Sequence, residues 1–392
     1  MRAAIYDPYL DTLGGGERYC LTVAEILLKH NWQVDLFWSG DQDLLTRAQE
    51  RFSLKLDDLH LVPDVFQIKA QKIDILENRQ QIKTLVSQGR LSSPNLVKKL
   101  KKFVKNYHIS RDYDLFFYLS DGSVPFLFGK NNLFHIQVPF NLPLSTSQKT
   151  LNSLKFKIGK IKIICNSRFT QKFTKILFSR PSTILYPPVD VDKFKPDTDK
   201  KNYILSVGRF DNILNAKKQD ILISAFRLLC QQNPKWQLIL AGGSTQSLEK
   251  NLYLQHLRHI SKDLPVKFIV NPPFSQLQKL YSVSKLYWHA AGYWVDEDLH
   301  PEATEHFGIA VVEAMASGLV PLVVKKGGLP EIITHNQNGF LWSDTEELIA
   351  KTQLLIGHPK KLSKMSQSAL IDCQKYSKAN FEAQLLRLIT KK

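Results

Sequence analysis

The stretch Glu305-His-Phe-Gly-Ile-Ala-Val-Val-Glu313-Ala-Met-Ala-Ser-Gly318 decides the reading of this chain. From Ile309 to Ala316 every residue is apolar except Glu313. A helix apolar on nearly all sides is normally buried, and a carboxylate inside it is costly unless something satisfies it. Gly318 ends the helix as a C-terminal glycine does. Leu286–His289 before it and Val320–Val324 after it read as short strands, so the helix belongs to an alternating β-α-β pattern. Glu305 sits just before the helix start, beside a backbone that Gly308 frees for close approach. Two carboxylates therefore flank a helix N-terminus, which is a natural anion site. With a start near Gly308, Glu313 lies about 8 Å along the axis, at about 1.5 Å per residue. That span suits a ligand with a diphosphate in the middle and hydroxyl groups at both ends. A buried structural helix whose glutamate pairs with a neighbour is the alternative.

The same alternation extends outward. Tyr203–Val207, Trp236–Ala241 and Val266–Val270 read as strands, with helices over Gln219–Gln231 and Phe274–Val283. A short helix at Leu329–His335, a strand at Gly339–Leu341 and a helical tail follow. The first half repeats the plan: strand Ala3–Tyr6, a glycine turn Gly14-Gly15-Gly16, helix Glu17–Lys29 and strand Gln33–Trp38. Further strands fall at Leu115–Leu119, Asn132–Gln137 and Ile161–Asn166. Such β-α-β units build parallel sheets with right-handed crossovers. The triple glycine follows the first strand, where these sheets bind ligands; it serves either as a phosphate or sugar contact or as a plain turn. Leu185-Tyr-Pro-Pro-Val-Asp-Val-Asp-Lys-Phe-Lys-Pro196 has three prolines and few helix formers, and reads as an interdomain linker. The expected organisation is α/β: a Rossmann-like domain over 1–185, a linker over 186–200, a second Rossmann-like domain over 201–372, and a final helix over 373–392 packing back on the first domain. A ligand is expected in the cleft between the two sheets.

At 392 residues, two domains are the natural expectation. No apolar run approaches bilayer-spanning length, and Met-Arg-Ala-Ala-Ile-Tyr-Asp-Pro reads as a first strand rather than a signal peptide. The four cysteines, Cys20, Cys165, Cys230 and Cys373, have no metal-ligand spacing and fit reduced thiols in a cytosolic protein. The net charge of +17 points to anionic partners. The excess is local: Asp74 and Glu77 are the only acids between Lys69 and Lys105. Lys98–Lys105 and Lys155–Lys162 interleave lysines with apolar residues, as do helices lying on an anionic membrane and also plain solvated helices. No nucleic-acid-binding module is visible.

With its motifs taken together, the chain resembles retaining glycosyltransferases of the GT-B fold, family 4, glycosyl transferases group 1. The carriers are Glu305 and Glu313 separated by seven residues, Ser206-Val-Gly208-Arg209 with Lys217 following, and Gly327-Gly328-Leu-Pro330-Glu331-Ile332. Gly14-Gly-Gly-Glu-Arg18 and the proline-rich linker are similar to the same family, and Trp288-His-Ala-Ala-Gly292 with Glu305-His-Phe-Gly-Ile309 resembles eukaryotic Alg11-type mannosyltransferases. The match is poorest over residues 67–110.

The resemblance implies two Rossmann-like domains facing a cleft, with a nucleoside diphosphate sugar held mainly by the C-terminal one. Arg209 and Lys217 would grip the diphosphate and neutralise leaving-group charge. Glu313 would accept the ribose hydroxyls and Glu305 would meet the transferred sugar. Backbone N–H groups of Phe307, Gly308 and Ile309 would meet sugar and phosphate. Gly15 and Gly16 would close from the opposite domain, and Asn271-Pro272-Pro273 would hold the base. His135 is matched to the histidine near the reacting sugar, with a stretched spacing to Pro139. Asp121 is the one candidate for a double-displacement nucleophile; the resemblance favours front-face substitution without a metal or other cofactor. Asp296-Glu-Asp298 looks like a metal motif but reads as a surface acid cluster. The implied function is a cytoplasmic hexosyltransferase, peripheral at the inner face of a membrane. It would move mannose from GDP-mannose, or a sugar from a UDP-sugar, to a lipid-linked or cell-surface glycan. A sugar-nucleotide epimerase and a non-catalytic sugar-nucleotide- or membrane-binding protein of the same fold are the alternatives.

Overall fold

Runs such as Leu115-Phe-Phe-Tyr-Leu119 and Val320-Pro-Leu-Val-Val324 are buried along their whole length. Strands read this way when both faces of a parallel sheet are covered. The computed structural model describes residues 1–41, 43–64, 66, 104–120, 122–139, 159, 161–211, 217–244 and 250–390. Asp121 and most of both lysine-rich segments lie outside the described residues.

The first sheet has seven strands: β1 (Arg2–Tyr6), β2 (Gln33–Phe37), β3 (His60–Val62), β4 (Leu115–Leu119), β5 (Asn131–Ile136), β6 (Lys162–Cys165) and β7 (Ser182–Ile184). Their order is β3-β2-β1-β4-β5-β6-β7, and every pair is parallel. The second sheet has six: β8 (Tyr203–Val207), β9 (Gln237–Gly242), β10 (Val266–Val270), β11 (Leu286–His289), β12 (Val320–Val324) and β13 (Phe340–Trp342). Their order is β10-β9-β8-β11-β12-β13, again all parallel. Both sheets are doubly wound and reverse direction beside their first strand, between β1 and β4 and between β8 and β11. Ligands bind outside the carboxyl ends of strands at such switch points.

The chain crosses between the halves twice, and the crossings are hydrogen-bonded to each other. The Val189 N–H donates to the Tyr376 carbonyl at 2.9 Å and the Lys378 N–H to the Val189 carbonyl at 3.2 Å. The proline-rich segment is no free tether, because Val189, Val191 and Phe194 are buried in the second core. The last helix, Lys378–Thr390, buries Phe381 and Leu385 in the first core, where Phe381 meets Tyr19 edge-on at 5.0 Å.

The structure adds elements the sequence pattern does not announce. β3 and β7 are three-residue edge strands, too short for a period of two to be visible. Helices over Leu44–Phe52, Arg168–Phe178 and Leu252–Ile260 are also additional. The first helix starts at Gly15 rather than Glu17, because the Glu17 side chain reaches back to accept the Gly14 N–H at 2.5 Å. Among the described residues, no helix is long and apolar enough to cross a membrane.

Candidate active site

At the second switch point, β11 ends at His289 and β8 is followed by Gly208 and Arg209. Three side chains converge there. Lys217 Nζ lies 2.5 Å from Glu305 Oε2, and His289 Nε2 donates to the same oxygen at 3.0 Å. The Glu305 and Lys217 side chains are largely enclosed, and His289 is buried. Gly327 makes this packing possible: a Cβ there would strike the Glu305 carbonyl oxygen at 2.2 Å. Burial opposes the charge on Glu305, yet Lys217 and His289 hold its carboxyl well below the usual carboxylate range. Burial pushes the His289 pKa down, against the opposing pull of Glu305.

A carboxyl whose folded pKa lies below its unfolded value stabilises the native state above the unfolded pKa, and that contribution is lost as pH falls towards the folded pKa. The melting-temperature gap between wild type and Glu305→Gln is therefore expected to be widest above about pH 5. It should narrow as pH drops below the ordinary glutamate pKa of about 4.3. A gap that widened on acidification would contradict the pairing.

Arg209 extends from the same strand end. Its side chain is 61% exposed, with Nε 3.3 Å from Asp211 Oδ2. Gln219 fixes its backbone by donating to the Arg209 carbonyl at 2.9 Å.

The helix expected between Glu305 and Gly318 runs from Ile309 to Ala316. Gly308 caps it at φ +115, a left-handed conformation that favours glycine. The first N–H groups of such a helix have no intrahelical acceptor. Glu313, one turn in, is buried as expected and is satisfied from two sides. Tyr281 Oη donates to Oε2 at 3.1 Å, and Arg18 Nη1 to Oε1 at 3.0 Å. Burial pushes the Glu313 pKa up, against the opposing pull of Arg18.

The first half of the chain faces this helix through its glycine turn. Gly15 packs on Ile309, where a Cβ would lie 3.2 Å from Cδ1; at Gly16 a Cβ would lie 2.7 Å from Gln137 Oε1. Glu331 bridges the halves a second time. Its carboxylate accepts the Arg168 N–H at 2.8 Å and the Phe169 N–H at 2.7 Å, at the N-terminus of helix Arg168–Phe178. Lys172 and Asp298 form a third bridge at 2.8 Å.

One candidate lies enclosed within the first half of the chain. His135 is fully buried, stacked on Tyr19 at 4.0 Å between ring centroids, and neither ring nitrogen has a hydrogen-bond partner among the described residues. Burial pushes its pKa down to about 3. Alternation along β5 explains this. Leu133 and His135 share the face packed under helix Gly15–Lys29, whereas Phe134 and Ile136 face the other core. His135 thus touches no open surface, and Gln137, two residues on, is the side chain beside the glycine turn.

The Asp296–Asp298 acids are spent on local contacts. Asp296 accepts the Asp298 N–H at 3.1 Å, Glu297 accepts the Gly327 N–H at 2.8 Å, and Asp298 holds Lys172. Asn271 turns the end of β10 at φ +50 and accepts the Ser244 N–H at 2.8 Å. Arg18, Tyr281, His289, Glu331 and Gln137 are members of the site that sequence reasoning did not single out. Arg18 and His289 lie inside quoted motifs, Gly-Gly-Gly-Glu-Arg and Trp-His-Ala-Ala-Gly; nothing in the sequence pairs Arg18 with Glu313.

The architecture is the GT-B fold, two doubly wound sheets facing a cleft. Over its full length the chain superposes on Anabaena Alr3699/HepE in complex with UDP (TM-score 0.69, 20% identity, both chains covered completely). It also superposes on sucrose-phosphate synthase from Thermosynechococcus elongatus (TM-score 0.65, 17% identity, 99% and 98% covered). Residues 189–370 match the family Glycosyl transferases group 1. The chain is similar to GDP-Man:Man(3)GlcNAc(2)-PP-Dol alpha-1,2-mannosyltransferases. The Xenopus laevis protein is 30% identical over 246 residues, 57% of this chain and 47% of that protein. The Homo sapiens protein is 31% identical over 231 residues, 54% of this chain and 44% of that protein. The matched segment thus spans less than half the length of those relatives.

Proposed function

We propose that the chain is a glycosyltransferase that moves a sugar from a nucleoside diphosphate sugar to a lipid-linked or cell-surface glycan. Mannose from GDP-mannose is the first choice of donor, in keeping with the mannosyltransferase relatives; a UDP-sugar is the second. The observation that carries the reading is the cluster of Lys217, His289 and Glu305 at the β8/β11 switch point, just before the helix Ile309–Ala316 that carries Glu313. Lys217 and Glu305 satisfy each other. With donor present, Lys217 turns to the diphosphate beside Arg209, and Glu305 accepts from the sugar hydroxyls.

The transfer proceeds on one face of the sugar. The bond from the anomeric carbon to the phosphate oxygen breaks while the acceptor oxygen bonds to the same face. The acceptor proton passes to the leaving phosphate, and the oxocarbenium-like charge is met by placed dipoles. Arg209, Lys217 and the Phe307–Ile309 backbone N–H groups take up the leaving-group charge, so no metal is needed. His135 has no part in this scheme.

The acceptor side is basic. Arg168, Gln171, Lys172, Lys175, Ile176 and Arg180 line an open groove of about 940 Å³, with Ile176 69% exposed. A basic surface carrying an exposed aliphatic side chain suits the anionic face of a membrane, which would place a lipid-linked acceptor beside the cleft. The test is transfer of label from GDP-mannose and from UDP-sugars to a lipid extract, with the anomeric configuration of the product read by NMR. Label in lipid with retained configuration supports the reading. No transfer from any donor overturns it.

A further inference from the structure

Glu313 is a carboxylate in an otherwise apolar helix, and its charge depends on what faces it. Tyr281 is a divided partner: its single proton has the Ala310 carbonyl at 3.3 Å as well as Glu313 at 3.1 Å. Among the described residues, the only cation on Glu313 is Arg18, which comes from the opposite half of the chain. The Arg18 fork is split, with Nη1 on Glu313 and Nη2 on Asp190 of the crossing segment, each at 3.0 Å. Its side chain is 13% exposed, so solvent screens the pair little. Asp190 has a second, looser partner in Lys193 at 3.6 Å.

We infer that Arg18 is a positioning residue of the donor site, holding Glu313 ionised and aimed across the cleft so that the ribose seat is complete only when the two halves are closed. The inference rests on the reading that Glu313 accepts the ribose hydroxyls. An ionised carboxylate has about four acceptor positions; Arg18 and Tyr281 occupy two of them, leaving two for neighbouring hydroxyls. A protonated carboxyl turns one oxygen into a donor and loses that match. Burial drives Glu313 towards the protonated form, and Arg18 opposes it. The other ionisable groups facing Glu313 are Tyr281, Asp190 and Tyr287, none of which can supply a positive charge. The lobes touch beside the pair, at Gly15 and Ile309, so opening the cleft there withdraws the guanidinium.

The experiment compares binding of GDP and UDP with that of their 2′-deoxy counterparts, from pH 6 to pH 9, in the full chain. The ribo-to-deoxy ratio is the readout, because titration of base and phosphate cancels in it. Wild type is expected to prefer the ribonucleotide by about tenfold at every pH, roughly the worth of one charge-assisted hydrogen bond. In Arg18→Met the preference should weaken towards pH 6 and recover towards pH 9, as Glu313 regains its charge. Arg18→Lys, which keeps a cation, should retain the preference throughout, and it carries the test if Arg18→Met fails to melt cooperatively.

A folded Arg18→Met that kept the full preference at pH 6 would overturn the inference and leave the reading of Glu313 intact. So would a folded Arg18→Lys without preference at any pH. Wild type that binds nucleotide without preferring the ribo form would overturn the reading of Glu313 itself, and the inference with it.

Discussion

Lys217→Ala is expected to lower kcat by about 10²- to 10³-fold, the usual effect of removing one group that stabilises transition-state charge. The same change should cost stability, because it strands Glu305. The pair is largely enclosed, with side-chain exposures of 18% and 13%. Breaking a buried pair by deleting one partner costs about 3–5 kcal/mol, and the lower end suits this partly open site. Arg209→Ala provides the contrast. Arg209 is 61% exposed and, among the described residues, pairs only with Asp211, so its removal should change stability by no more than about 0.5 kcal/mol while turnover falls as far. Steady-state kinetics and denaturant melts of the two variants separate the roles. Wild-type turnover in Arg209→Ala would remove it from the diphosphate.

Glu313→Ala is expected to act on donor affinity rather than on the chemical step. Two hydroxyls donating to a carboxylate are worth about 1.5–3 kcal/mol each, so the donor KM should rise about 10²- to 10⁴-fold while kcat changes little, the signature of uniform binding. Stability should suffer less than in Lys217→Ala, since Arg18 keeps Asp190 and Tyr281 keeps the Ala310 carbonyl. Alanine also suits a helix interior. A fall in kcat with unchanged KM would place Glu313 at the reacting centre instead.

What could be read from the sequence was local. Helix Ile309–Ala316 was legible because an apolar run fixed its burial and Gly308 and Gly318 bracketed it. Strands of five residues with apolar sequences, such as Leu115–Leu119 and Val266–Val270, were found at their observed ends. The three-residue edge strands β3 and β7 were not, because so few positions define no period, whereas β13 lies one residue beyond its expected Gly339–Leu341. The site divided in the same way. Glu305 and Glu313 stand out as acids in apolar surroundings, whereas Arg18 and Glu313 are 295 positions apart and meet only through the fold. Glu331 could be quoted as part of a motif, yet its use as an acceptor for the Arg168 and Phe169 N–H groups depends on the opposite half. The burial of His135 was not legible, because a position near a strand end does not say which face the side chain takes. The neighbours Leu133 and Phe134 on opposite cores settle that.

The most direct measurement is a thermal-shift screen of the purified chain with GDP, UDP, ADP and their common sugar conjugates, with and without Mg²⁺. A ligand at a hundred times its dissociation constant stabilises by about 2.7 kcal/mol, enough to read as a clear rise in melting temperature. The account predicts such a rise with a nucleoside diphosphate in the absence of metal, diminished in Arg209→Ala and Glu313→Ala. No rise with any nucleotide, or a rise unchanged in both variants, would contradict a donor site built on Arg209, Lys217, Glu305 and Glu313.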